Sequence, residues 1–100
     1  MTMEQIDFFL MAVRCDTFLE AAENLHIAQS TLSKQIQKLE AELNLPLFDR
    51  TRRQAVLTPA GELFLQEATE LSRQYHQMLQ KMHHFQKTTR QLLRVGSLPF

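Results

Sequence analysis

The chain has 100 residues, of which 44% are hydrophobic, and its formal net charge is zero. That size suits one globular unit with a modest core, and no stretch approaches the roughly 20 apolar residues of a membrane span. Because Glu4 and Asp7 interrupt the first apolar run, no signal peptide is visible, and we expect a cytoplasmic protein with no membrane partner.

The positive charge is concentrated in two stretches, although the total is zero. Residues 28–53 carry five basic against three acidic residues, and residues 81–100 carry four basic residues and no acidic one. Residues 1–27 and 54–80 have net charges of −4 and −2. Local basic patches attract nucleic acid more than the overall sum does. The stretch 28–53 is therefore a candidate nucleic-acid-binding region.

A first amphipathic helix is predicted to begin at a T-x-x-Q capping box made by Thr2 and Gln5 and to end near Cys15. Its apolar residues follow at helical spacing: Ile6, Phe9, Leu10 and Val13. Since Cys15 is the only cysteine, an internal disulfide is excluded. A buried structural thiol and a redox-active thiol both remain open for it.

The next two helices are predicted to form a helix-turn-helix. Thr17 and Glu20 make a T-x-x-E capping box that starts the second helix, Phe18–Leu25. A three-residue turn, 26–28, leads into the third helix, Gln29–Leu43. Two helices joined by so tight a turn are typical of DNA-reading units.

The third helix has one apolar and one polar face. The apolar residues are spaced by four, three and four: Leu32, Ile36, Leu39 and Leu43. The opposite side carries Ser30, Ser33, Lys34, Gln37 and Lys38, with Gln29 at its leading edge. Hydroxyls, amides and lysines suit base edges and phosphates, but any surface helix has a polar outer face. This face alone therefore leaves both interpretations open.

A basic hairpin is predicted directly after the third helix, which Pro46 helps to end. Residues 48–50 and 55–57 are short strand candidates on either side of a turn at 51–54. Arg50, Arg52 and Arg53 lie in this wing-like segment, residues 50–54, where phosphate or minor-groove contacts are expected.

A long fourth helix is predicted from Pro59, which follows the capping residue Thr58, to about Thr89. An apolar seam with alternating spacings of four and three runs along it for three heptads: Phe64, Ala68, Leu71, Tyr75, Met78, Met82 and Phe85. The first turns can pack on the core, but a helix this long cannot fold its whole apolar edge back. We therefore predict a homodimer through this seam, with strand number and orientation left open.

The order and spacing of these residues resemble the N-terminal region of LysR-type transcriptional regulators over residues 3 to about 62. The matching positions are Phe9 and Val13, Phe18-x-x-Ala21-Ala22-x-x-Leu25, Gln29, Leu32-Ser33, Ile36-x-x-Leu39-Glu40, Leu43, Leu47-Phe48-x-Arg50 and Leu57-Thr58-x-Ala60-Gly61. Residues 63–90 are similar to the family's linker helix, and the pattern at 93–96 looks like the first strand of its effector-binding domain.

The resemblance implies a mainly α, winged helix-turn-helix protein with a long C-terminal linker helix that dimerises. The implied domains are a DNA-binding domain at 1–58, a linker helix at 59–90 and, at 91–100, the start of a truncated effector-binding domain. Family members often assemble as tetramers and respond to a small-molecule co-inducer, which would bind in the missing domain, so no cofactor is expected in this fragment. The implied partner is double-stranded DNA.

The resemblance also implies which residues contact DNA. The predicted set is Gln29, Ser30, Thr31, Ser33, Lys34 and Lys38 in the third helix, Arg50, Arg52 and Arg53 in the wing, and Thr58. Three departures from the family pattern bear on function. Ala28 stands where the family commonly has Ser or Thr, and Ser30 where it commonly has Pro; losing a capping hydroxyl costs a helix about 1 kcal/mol. Lys34 often corresponds to Arg, whose two-pronged fork on guanine Lys cannot match, so the base preference is open.

Other chemistries find little support in the sequence. His76 and His83 are seven residues apart on a predicted helix, too far to share one metal ion. With only Gly61 and Gly96, the chain has no glycine-rich phosphate loop, and no catalytic constellation is supported. We therefore predict neither a metal site nor an enzyme. The remaining alternative is a dimerising adaptor that binds protein and uses its basic hairpin for solubility.

Overall fold

The computed structural model describes residues 1–51 and 54–92, which form four helices. The helices are α1 (Met3–Arg14), α2 (Phe18–Leu25), α3 (Gln29–Leu43) and α4 (Pro59–Leu92). The prediction of a mainly α chain with a long C-terminal helix is confirmed. Residues 93–100, which include the predicted strand at 93–96, lie outside the described residues. Because α4 extends to Leu92, the segment predicted to open an effector-binding domain begins as helix.

The predicted capping residues start the first two helices. The Thr2 hydroxyl accepts a hydrogen bond from the Gln5 amide at 3.1 Å, and the Gln5 side chain accepts one from the Thr2 amide. The Thr17 hydroxyl accepts from the Glu20 amide at 3.1 Å. Such caps satisfy amide groups that a helix leaves free at its N-terminus, so helix boundaries follow local sequence here.

One hydrophobic core joins α1, α2, α3 and the first turns of α4. Its fully buried members come from the apolar faces of the helices and from the segment after α3: Ile6, Phe9, Ala12, Ala21, Ala22, Leu32, Ile36, Leu39, Leu47, Phe48 and Ala68. The ring of Phe9 lies at the centre, 5.4 Å from that of Phe48 and 4.8 Å from that of Phe64. These aromatic contacts fix α4 and the wing segment to α1.

The turn between α2 and α3 depends on a left-handed residue. His26 has φ 59° and ψ 41°, and the Ile27 amide donates to the Ala22 carbonyl at 3.0 Å. This closes α2 and allows α3 to start three residues later. Ala28, the N-cap of α3, makes no side-chain capping bond, as its missing hydroxyl predicts. Asn44 ends α3 in the same left-handed conformation, with φ 56°.

The predicted pair of wing strands is wrong for the described residues. A single antiparallel bridge joins Phe48 to Leu57, and the Asp49 amide donates to the Val56 carbonyl at 2.8 Å. Pairing ends there for two reasons, one local and one long-range. Asp49 Oδ1 accepts from both the amide and the hydroxyl of Thr51, which turns the chain. The Ala55 amide donates to the Asp16 carbonyl at 3.0 Å, so it bonds to the loop between α1 and α2 instead of to the wing.

The start of α4 is fixed to the segment after α3. The Thr58 hydroxyl donates to the Pro46 carbonyl at 2.6 Å and accepts from the Gly61 amide at 3.0 Å. The Thr58 amide also donates to the Leu47 carbonyl at 3.0 Å. Thr58 therefore caps α4 and connects it to the wing base. None of the helices in residues 1–51 and 54–92 combines the length and apolarity that crossing a bilayer requires.

Candidate nucleic-acid interface

The polar face of α3 is open, as the sequence predicts. Gln29, Ser30, Thr31, Lys34 and Lys38 are exposed, and Ser33 is partly buried. The opposite face supplies three completely buried side chains, Leu32, Ile36 and Leu39. Because burial fixes the rotation of α3 about its axis, the exposed polar side chains of this face point away from the core.

A polar cleft of about 240 Å³ lies where α2, α3 and the wing meet. The start of α2 contributes Thr17 to its wall, the N-terminal half of α3 contributes Gln29 and Ser33, and the wing contributes Arg50 and Gln54. The structure thus brings predicted residues from α3 and from the wing to one depression. The five residues offer amide, hydroxyl and guanidinium groups, the groups that hydrogen-bond phosphates and base edges.

Arg50 is held by two contacts at the edge of this cleft. Its Nη2 atom donates to Glu40 Oε1 at 2.7 Å, and its guanidinium carbon lies 5.3 Å from the centre of the Phe18 ring. The Phe18 ring packs edge-on against Phe48, with centroids 5.0 Å apart. Since the Arg50 side chain remains 43% exposed, the rest of the guanidinium still faces solvent.

Glu40 is the residue that sequence reasoning missed. Its Oε2 atom accepts from the Leu47 amide at 2.7 Å and from the Phe48 amide at 3.2 Å, while Oε1 accepts from Arg50. Its side chain is only 14% exposed. In the sequence, Glu40 stands beside the buried Leu39 within the basic stretch 28–53, but its partners are seven to ten residues away across an irregular loop. No periodic pattern indicates them.

Three predicted DNA-binding residues are placed differently or not described. The hydroxyl proton of Thr58 is used inside the fold on Pro46, so it is not available to a phosphate while that bond is intact. Thr58 therefore has a structural role at the start of α4, and its direct contact with DNA stays a prediction. Arg52 and Arg53 lie outside the described residues.

The predicted dimer seam divides into a covered and an open part. Ala68 is 2% exposed, and Phe64 packs against Phe9, so both serve the core of this chain rather than a free surface. Farther along α4, Tyr75 is partly buried. Leu71, Met78, Met82 and Phe85 are exposed, as is Leu79, which the seam prediction did not include. The open part therefore starts at Leu71.

Charged and titratable side chains on α4 make local pairs. Arg73 forms an ion pair with Glu70, and its hydrogen bond lowers the pKa of the Glu70 carboxyl, while the same bond raises the pKa of Arg73. The His76 ring nitrogen Nδ1 lies 2.7 Å from the Ser72 carbonyl oxygen. Within the described part of the chain, no three His, Cys, Asp or Glu side chains come together as a metal site.

Cys15 is buried beside α2. The Asn24 side-chain amide donates to its sulfur, with Nδ2 and Sγ 3.2 Å apart. The thiol therefore fills a place in the core and satisfies part of a neighbouring amide, which favours the structural over the redox interpretation.

Comparison with known proteins gives a consistent result. A family model described as bacterial regulatory helix-turn-helix protein, lysR family, matches residues 3–62. A Bacillus subtilis relative, the uncharacterized HTH-type transcriptional regulator YcgK, is 42% identical over 82 residues, which cover 82% of this chain and 25% of the relative. The chain spans about a quarter to a third of the length of the first curated relatives it matches.

Solved structures share the fold along most of the chain. The BenM DBD–catB site 1 DNA complex matches with a TM-score of 0.85 and 35% identity, over 88% of this chain and 95% of that one. The CbnR DBD–DNA complex matches with a TM-score of 0.79 and 28% identity, over 84% of this chain and 97% of that one.

Proposed function

The chain belongs to the LysR family of bacterial regulatory helix-turn-helix proteins, and from this we propose that it is the DNA-binding part of a sequence-specific transcriptional regulator. Helix α3 enters the major groove, and the wing lies on the backbone or in the minor groove. The observation that supports this most directly is the exposed polar face of α3 beside a cleft shared with the wing.

The predicted contacts on α3 and at the tip of the wing each have a role in this proposal. Gln29 and Ser33 lie in the N-terminal half of α3, which a helix-turn-helix pushes deepest into the groove, and a glutamine amide can pair with adenine. Ser30, Thr31, Lys34 and Lys38 lie on the same exposed face and contact phosphates or neighbouring bases. Arg52 and Arg53, on sequence grounds, contact phosphates or a narrow minor groove.

We further propose a homodimer in which the open part of α4, from Leu71 to Phe85, forms the contact. Its support is the row of exposed large apolar side chains, including Met82 at 60% and Phe85 at 61% exposure. A longer protein would add an effector-binding domain for a small-molecule co-inducer and could assemble further into tetramers. Because its proposed target is bacterial DNA, the regulator would act in the cytoplasm.

The test is selection of bound sequences from random duplex DNA, followed by affinity measurements over a range of salt concentrations. We expect an enriched sequence motif and an affinity that falls steeply with salt, because bound phosphates release counterions. Lys34→Ala should weaken binding and reduce the salt slope, whereas the control Lys81→Ala, at an exposed position of α4, should not. A chain that enriches no duplex would instead support the adaptor function that the apolar face of α4 permits, since apolar docking hardly responds to salt.

A further inference from the structure

We propose that Glu40, an acidic residue, is a positioning residue for DNA recognition, which it serves by holding Arg50 at the edge of the α2–α3 cleft. The inference rests on the proposed function and adds a residue to it. Glu40 lies in α3 itself, 11 residues after Gln29, and its carboxylate connects the recognition helix to both the segment after it and the wing.

The contacts of the carboxylate are divided between two tasks. Oε2 binds the backbone amides of Leu47 and Phe48, which positions the loop that leaves α3. Oε1 accepts from the Arg50 guanidinium, which belongs to the wing. Because the Glu40 side chain is 14% exposed, its bonds to the Leu47 and Phe48 amides are largely protected from water. The bond to Arg50 lies at the surface, where the contact orients the guanidinium more than it stabilises the fold.

The two contacts restrict the orientation of the Arg50 guanidinium but leave most of its N–H donors available. A guanidinium has five N–H donors in a rigid plane, and the Glu40 contact uses one nitrogen while the Phe18 ring supports the group 5.3 Å away. The remaining donors lie beside the cleft that Gln29 and Ser33 also line. A phosphate oxygen placed there would meet an arginine that is already oriented, so less conformational entropy is lost on binding.

A positioning role for Glu40 and a simple charge effect predict opposite changes in DNA affinity when Glu40 is removed. Removing a carboxylate from a DNA-binding surface removes a repulsion from phosphates and should raise the affinity for any duplex. If Glu40 positions Arg50, its removal should lower the affinity for the selected sequence instead.

Glu40→Gln separates the two tasks of the side chain. Its amide oxygen can still accept from the backbone amides of Leu47 and Phe48, but its NH₂ group cannot accept from Arg50. The matched control is Glu42→Gln, which removes the same charge from the same helix. Glu42 is exposed and pairs with the N-terminal ammonium group, not with the wing.

The experiment measures the affinities of both variants for the selected duplex and for a random duplex, in protein shown to be folded by circular dichroism. We expect Glu40→Gln to bind the selected duplex about tenfold more weakly, the change equivalent to about 1.4 kcal/mol. Because a phosphate contact is made to any sequence, its affinity for the random duplex should fall as well. Glu42→Gln should bind both duplexes as well as or better than the original chain.

An Arg50→Ala background shows whether Glu40 acts through Arg50. There, Glu40→Gln should cause no further loss of binding, because the group that Glu40 orients is gone. A full tenfold loss in that background would assign Glu40 a purely structural role through the loop and overturn the inference, as would a Glu40→Gln variant that behaves like Glu42→Gln. If the unmodified chain fails to enrich any duplex, the proposed function fails first, which is a separate outcome.

Discussion

Gly61 lies directly against the carbonyl oxygen of Leu47: a Cβ atom at position 61 would be 2.1 Å from that oxygen and 2.9 Å from Cδ2 of Leu57. The oxygen cannot easily move, because it also accepts the Thr58 amide. The first turn of α4 therefore approaches the wing base as closely as backbone permits, and only glycine leaves the necessary space.

Gly61→Ala should lower the free energy of unfolding by about 1–3 kcal/mol, the usual range for an overpacked site. Helix propensity alone predicts the opposite sign, a gain of up to about 1 kcal/mol. Urea unfolding followed by circular dichroism measures the change. Gln66→Ala, at an exposed position of α4, is the control and should leave stability unchanged or slightly raised. A stabilised Gly61→Ala variant would contradict the close contact.

Ala28→Ser should stabilise the chain by about 1 kcal/mol, because the N-cap of α3 lacks a side-chain hydrogen bond and a serine hydroxyl could accept from the amides of the first turn. The same urea measurement applies. Ala41→Ser, at an exposed position inside α3, is the matched control and should be neutral or slightly destabilising. Equal effects of the two substitutions would show that the start of α3 needs no cap.

Gln29→Ala and Ser33→Ala should reduce the affinity gap between the selected and random duplexes, by about 1–3 kcal/mol for a good bidentate contact. Neither residue carries charge, so random-duplex binding should change little. Lys34→Ala should weaken both. The affinities are measured for each duplex at one salt concentration. An equal loss on both duplexes for Gln29 and Ser33 would mean that α3 does not read bases and that specificity comes from DNA shape.

Leu71→Asp combined with Met78→Asp should convert a dimer into monomers, because each substitution places a charge in a seam that is desolvated on association. Light scattering across a range of protein concentrations measures the mass. Gln66→Asp with Gln77→Asp adds the same charge at exposed polar positions of α4 and should leave the dimer in place. A monomer before any substitution would refute the seam.

The sequence predicted those parts of the fold whose causes are local. The T-x-x-Q and T-x-x-E patterns at Thr2 and Thr17 placed the starts of α1 and α2, and the apolar spacing of α3 identified its outward face. The wing strands were wrong because the Ala55 amide bonds to Asp16, nearly 40 residues earlier, which no strand pattern reveals.

The candidate site was predictable for similar reasons on α3 and not beyond it. The apolar periodicity of α3 is enough to predict that Gln29 and Lys34 are exposed. The partners of Glu40 and Thr58, in contrast, depend on how the irregular loop after α3 folds back. A carboxylate at the end of a polar helix face looks solvated in the sequence, and a capping threonine next to a basic hairpin looks like a phosphate ligand. Only the positions of Leu47, Pro46 and Arg50 distinguish these roles.

Because Thr58 attaches α4 to the wing base, the length of α4 determines how far the open seam lies from the DNA-binding region. Since its first turn is fixed to the wing base, the angle and height at which a second chain would meet α4 in the proposed dimer would also fix the separation of the two α3 helices. Inserting one residue between 65 and 71 would rotate the seam by about 100° and advance it by about 1.5 Å. Inserting seven would nearly restore its phase while lengthening the arm by about 10.5 Å. The spacing of paired DNA half-sites would thus be encoded in the number of residues between Thr58 and the open seam.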